Sequence, residues 1–131
     1  MTERRLAEIY RRYIDCLNTQ NWEELGRYVD DTVSYNGQPI GLDAYRQARQ
    51  DEFRSIPDLY FNIHLLTADE AMVAARLIFD ITPQAEFLGL PVNGRRVSFA
   101  ENVFYTFAGD KITDVWSIVD KAAVEAQLGV T

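Results

Sequence analysis

Hydrophobic positions along this chain change period part-way, from helical spacing in the first half to alternation in the second. Leu6, Ile9, Tyr10, Tyr13, Ile14 and Leu17 follow i, i+3, i+4, i+7 spacing, which predicts an amphipathic helix over residues 3–19. Asn21, with Glu24 three residues on, reads as a capping arrangement that opens a short second helix through Val29. Residues 32–35 read as a brief strand closed by an Asn36-Gly37 turn. A third helix follows Gly41 and is stopped by Pro57.

Beyond that point the pattern is β. Residues 59–66, 72–82, 95–107 and 111–119 are rich in Val, Ile, Phe and Tyr with period-two alternation. Gly109-Asp110 suits a tight hairpin turn between the last two runs. The segment 83–94, with two prolines and two glycines, is the longest loop, and a short helical tail starts at Lys121. Helices followed by a meandering sheet imply an α+β domain whose sheet curls over the helices and leaves a cone open at one end. Such a sheet also keeps one broad face free of helix. Covering it with a second copy predicts a homodimer.

Composition narrows the function classes. The chain has 131 residues and a mass of 15.0 kDa, which predicts one domain over residues 1–131. A net charge of −7 argues against nucleic acid and anionic membrane surfaces as partners. No apolar run reaches the roughly 20 residues of a membrane span. The polar start Met1-Thr2-Glu3-Arg4-Arg5 lacks a signal core, and a single cysteine, Cys16, suits a reducing cytoplasm. With no Cys/His cluster and no glycine-rich phosphate loop, neither metal nor nucleotide cofactor is expected. The expected partner is a small molecule, or another copy of the chain.

Candidate chemistry gathers at the end of the last strand. Residues two apart in a strand share a face, so Trp116, Ile118 and Asp120 look the same way. A carboxyl in such an apolar setting is the kind of group that serves as a general acid or base near neutrality. The competing reading makes Asp120 the N-cap of the terminal helix. Arg76 lies mid-strand between Ala75 and Leu77, where a charge needs a partner. Orienting Asp120, holding an anionic ligand, and a structural pair with Asp80 or Glu101 all stay open for it. Trp116, Tyr13 and Tyr35 are placed in the core or on the cavity wall. His64 sits among polar neighbours and reads as outward-facing; Cys16 reads as an inert buried thiol.

Arg76, Phe87-Leu88-Gly89-Leu90-Pro91, Asn93-Gly94-Arg95-Arg96-Val97, Gly109-Asp110-Lys111-Ile112, Trp116, Asp120 and Gln127-Leu128-Gly129 occur in an order and spacing that resembles the SnoaL-like polyketide cyclases. These belong to the NTF2-like superfamily of cystatin-like α+β barrels. The resemblance implies a cone of three N-terminal helices on a curved, mainly antiparallel sheet with a short C-terminal helix. It further implies a cofactor-independent intramolecular aldol condensation, which in the family closes a ring on an aromatic polyketide ester; for this chain the expected substrate is a small hydrophobic carbonyl compound. Asp120 would then be the acid/base, and Trp116, Arg76, Tyr35, Tyr13, Glu101 and Asp80 would stand around the ligand. The chain departs from the family where Gly-Thr-His is usual: it has Ile81-Thr82-Pro83, and residues 95–107 hold no histidine. Two other classes remain: a hydrolase resembling limonene epoxide hydrolases, built on Asp80, Arg76 and Asp120, and a non-catalytic small-molecule binder.

Overall fold

The computed structural model describes residues 2–129. Helix α1 (Thr2–Asn18) is followed by a 3-10 helix (Trp22–Arg27), strands β1 (Val29–Tyr35) and β2 (Gln38–Pro39), and helix α2 (Gly41–Ser55). Strands β3 (Asn62–Ala68), β4 (Met72–Ile81), β5 (Glu86–Phe87), β6 (Leu90–Pro91), β7 (Val97–Ala108) and β8 (Lys111–Val119) come next, and α3 (Lys121–Leu128) ends the chain. Six strands form one sheet in the order β2-β1-β8-β7-β4-β3, antiparallel except for the β1–β8 pair. This is the expected α+β arrangement, with the second N-terminal helix tightened to a 3-10 turn. Asn21 precedes that turn but makes no side-chain cap, so the capping arrangement read from the sequence is not formed.

The apolar stripe of α1 explains its seat. Leu6, Tyr10, Tyr13, Ile14 and Leu17 are buried to 3% exposure or less, against β3 and β4. Each such side chain contributes about 1.5–3 kcal/mol by leaving water. Helix α2 packs on β1, while α3 packs on β7. The hairpin β5–β6 lies inside the segment read as loop, and its strands pair through Glu86–Pro91 and Phe87–Leu90.

Strand faces on β4 and β7 follow alternation; the register shifts within β1, β3 and β8. On β4 the odd residues Val73, Ala75, Leu77, Phe79 and Ile81 are buried under the helices; on β7 the odd series Val97, Phe99, Val103 and Tyr105 does the same. On β8, Ile112 is buried, but Thr113 is an extra residue: Thr106 pairs with Asp114 while Phe107 pairs with Ile112. The bulge switches parity. Val115 and Ser117 are therefore inside, while Trp116 and Ile118 are outside at 43% and 73% exposure.

Candidate active site

Helix α2 supplies charge to an apolar face. Tyr45, Arg49, Glu52 and Ile56 are spaced i, i+4, i+7, i+11, so they line one stripe facing β1 and the interior. Arg49 is 13% exposed, and its guanidinium lies 4.8 Å from the Tyr45 ring centre and 5.5 Å from that of Tyr35. It donates to both carboxylate oxygens of Glu52, at 2.7 and 3.3 Å. A forked pair of this kind is among the stronger charge-assisted arrangements, and stacking on two rings fixes the fork.

Beside this stripe is a cavity of about 160 Å³. Its walls come from α2 (Glu52), the following turn (Ile56, Leu59, Phe61), β1 (Tyr35), β4 (Phe79, Ile81), the β5–β6 hairpin (Phe87, Leu88), β7 (Phe99, Glu101) and β8 (Val119). One side is an aromatic ladder: Phe61 and Phe79 meet edge-to-face at 5.3 Å, Phe79 stacks on Phe99 at 5.3 Å, and Phe87 tilts on Phe99 at 5.4 Å. An apolar cavity of about 150 Å³ holds one benzene ring. The volume of this one is on the scale of one ring.

Two carboxylates interrupt that apolar wall. Glu101 occupies the inward series of β7 between Phe99 and Val103, and accepts a hydrogen bond on Oε2 from the Ser117 hydroxyl of β8. Burial pushes its pKa above the ordinary glutamate value; the Ser117 hydroxyl and the Arg49 charge pull it back, and the Glu52 charge adds to the rise. Glu52, with 41% of its side chain exposed, is also raised by burial, against the pull of its Arg49 partner. The arrangement is thus two carboxylates of unlike surroundings: Glu52 is clamped by a cation, and Glu101 is held by a neutral hydroxyl. Environments that separate two such groups are the usual basis for dividing acid and base roles.

Behind Arg49 lies a buried tyrosine cluster. The hydroxyls of Tyr13 and Tyr45 share a hydrogen bond, and Tyr10 donates to Tyr105 at 3.0 Å. Burial raises the pKa of all four, so they stay neutral phenols. Their packing holds the Tyr45 ring against Arg49.

The residues singled out from the sequence divide sharply. Tyr35 and Glu101 stand on the cavity wall, while Tyr13 lies in the core behind it. Asp120 does not line the cavity: it is exposed, and its carboxylate accepts the backbone N–H of Ala123 at 3.1 Å as the N-cap of α3. The cavity-facing reading is corrected in favour of the cap, because after the bulge the Trp116–Ile118 series faces outward. Trp116 and Arg76 belong to the outer sheet face, where Arg76 donates to Asn102 at 3.2 Å. Asp80 is also outside, paired with Arg96 at 2.5 Å and accepting from Ser98. Asp80, Arg76 and Asp120 are therefore not brought together around a water. His64 is exposed at the β3 irregularity, and Cys16 is buried with its thiol on the Asn21 carbonyl.

Arg49, Glu52 and Ser117 escape the sequence reading. The signal for the first two was present: charged residues in register with Tyr45 and Ile56 on a helix face. Ser117 had no signal of its own until the bulge placed it inside. Among the described residues no group of three or more His, Cys, Asp or Glu side chains gathers as a metal site, and no helix is long and apolar enough to cross a membrane.

Comparison with known proteins agrees with this architecture. IdmH from Streptomyces antibioticus superposes with a TM-score of 0.80 at 20% identity, covering 94% of this chain and 97% of that one. TsrD from Streptomyces laurentii gives 0.83 at 18% identity, covering 97% and 96%. At such identities both speak for the fold alone. None of the curated proteins matches the chain. A crystal structure of a SnoaL-like polyketide cyclase from Agrobacterium tumefaciens superposes with a TM-score of 0.93 at 52% identity, over 95% of this chain and 98% of that one. A model of the SnoaL-like polyketide cyclase family matches residues 7–128, from α1 to the end of α3. The chain belongs to the SnoaL-like polyketide cyclase family.

Proposed function

We propose that the protein catalyses a cofactor-independent proton transfer, of the isomerase or cyclase type, on a small hydrophobic carbonyl compound, with Glu101 as general base and acid. One observation carries this reading: Glu101 is a carboxyl on an apolar cavity wall whose hydrogen-bonding partner is a neutral hydroxyl. In the step envisaged, the Glu101 carboxylate takes a proton from the carbon next to the carbonyl, leaving an enolate. In a cyclisation the enolate carbon attacks a second carbonyl of the same molecule, forming the C–C bond, and the resulting alkoxide takes the proton back from Glu101. The Arg49 charge favours the ionised form of Glu101, the form that acts as base.

Solvent deuterium exchange on simple ketones tests this. Cyclopentanone and cyclohexanone in D2O should exchange their α-hydrogens faster with the protein present. Glu101→Gln should remove about 100- to 10,000-fold of the acceleration, while Asp120→Asn keeps it. Exchange unaffected by Glu101→Gln would sink the assignment.

A second reading, hydrolysis, draws on the presence of Glu52 on the same wall with Arg49 bound to it. Two carboxylates and a guanidinium are suited to holding a water against a strained ring. Styrene oxide in ¹⁸O-labelled water separates the two: label in a diol, lost in Glu52→Gln, supports hydrolysis.

The outer sheet face supports a homodimer. Leu65, Phe104, Trp116 and Ile118 stand exposed there, around a shallow groove of about 900 Å³. A second copy laid across it would remove this apolar surface from water. Trp116 and Arg76 then serve assembly.

A further inference from the structure

Three turns in the described residues place two successive residues at positive φ: Asn36-Gly37 (48° and 85°), Leu88-Gly89 (55° and 74°) and Asn93-Gly94 (51° and 85°). Positive φ at both central residues is the mark of a type I′ turn, for which Asn-Gly is the favoured pair. The first joins the paired residues Tyr35 and Gln38, the second joins Phe87 and Leu90, and the third is closed by the Arg95 N–H on the Val92 carbonyl at 3.1 Å. Two of the three use Asn. The other uses Leu, whose branched side chain tolerates the left-handed region poorly. Leu88 also differs in where its side chain goes: it lines the cavity and packs on the core, whereas Asn93 is exposed.

We propose that Leu88 is the specificity-determining residue of the cavity, held in a costly conformation so that its side chain closes the wall at one ring's width. A turn that needed only to reverse the chain would be served better by Asn. What Leu adds is apolar bulk on the cavity wall. The hairpin is well placed to present it, because Asn93 N–H and Gly94 N–H bond back to the carbonyls of Ala85 and Pro83, at 3.0 and 2.7 Å. Those bonds tie the base of the hairpin and leave residue 88 to define the end of the space. The inference rests on reading this cavity as the ligand site, and it is independent of which residue moves the proton.

Benzene and naphthalene serve as probes, followed through the methyl resonances of Ile56, Ile81 and Val119 on the cavity wall. The wild type should bind benzene and not naphthalene. Leu88→Gly and Leu88→Asn should each tighten naphthalene binding by at least ~10-fold, the scale set by added apolar volume in a pocket. Leu88→Asn should melt no lower than the wild type, whereas Asn93→Leu, which introduces the same conformation without a cavity to fill, should melt lower. The proposal is overturned if naphthalene binds the wild type as well as benzene, or if the size limit stays put in both variants. It is overturned too if neither probe perturbs those methyls in any of the proteins. Loss or retention of exchange in Glu101→Gln reports on the proton-transfer reading separately.

Discussion

Glu101 and Ser117 are diagonal neighbours on the inner side of β7 and β8, Glu101 opposite Val119 and Ser117 opposite Val103, and the Ser117 hydroxyl donates to Glu101 Oε2. That contact engages one carboxylate oxygen of a residue that lines the cavity. It also partly offsets the burial that raises the carboxyl's pKa.

The pH profile should register this contact. A general base acts when ionised, so kcat/KM should rise with pH through the raised Glu101 value, above the ordinary glutamate range near ~4.3. Ser117→Ala removes a bond that favours the ionised form. Its acid limb should therefore move to higher pH, with the plateau rate largely kept. A limb that stays in place would remove Ser117 from the tuning of Glu101.

Stability should move opposite to activity in Glu101→Gln. A carboxyl raised in the fold binds its proton more tightly folded than unfolded. Its contribution is complete below the ordinary glutamate range and is lost as pH rises through the raised value. Gln can still accept from Ser117, so the variant should be more stable than the wild type at pH 7–8 and melt at a higher temperature there. The gap should close toward pH 4. Thermal melts across that range check both sign and window, and a wild type that is the more stable at pH 8 would contradict it.

Arg49→Lys keeps the charge but loses the fork to Glu52 and the stacking on Tyr35 and Tyr45. We expect a loss of about 1–2 kcal/mol in urea unfolding, because Lys cannot hold two carboxylate oxygens in one plane. Arg49→Met should cost more, since Glu52 is then left without its cation. It should also raise the acid limb of the rate profile, because Arg49 pulls the Glu101 pKa down.

The Tyr13–Tyr45 pair should show strong coupling. Replacing either with Phe strands the other hydroxyl in the core, at about 1–3 kcal/mol. Replacing both removes the stranded group, so the double variant should cost clearly less than the sum of the two. Additive losses in a double-mutant cycle would show that the two hydroxyls do not depend on one another.

Assembly is checked through the outer face. Light scattering after size exclusion should give a dimer mass for the wild type and a monomer for Phe104→Asp, with the fold retained by circular dichroism. Phe104 is 57% exposed and leaves the core untouched when changed. A monomeric wild type would contradict the dimer.

The elements were legible in the sequence because hydrophobic period is local: the stripe of α1, the alternation of β4 and β7, the Asn36-Gly37 turn and the stop after α2 all follow from neighbours within a turn or two. The same alternation grouped Trp116 with Ile118 on one face. Which face lay inside was not legible. Ile112 is buried, and unbroken alternation would have carried Trp116 and Ile118 inward after it. One extra residue at Thr113 reversed that, and the outer face is itself apolar, so hydrophobicity alone carried no warning. The cap role of Asp120 was legible as the competing local reading; the rest came from tertiary packing, which brought α2's Arg49 and Glu52 near a strand some fifty residues away and set Leu88 on the cavity wall. Contacts of that kind depend on how the helices seat on the sheet, and no local pattern records them.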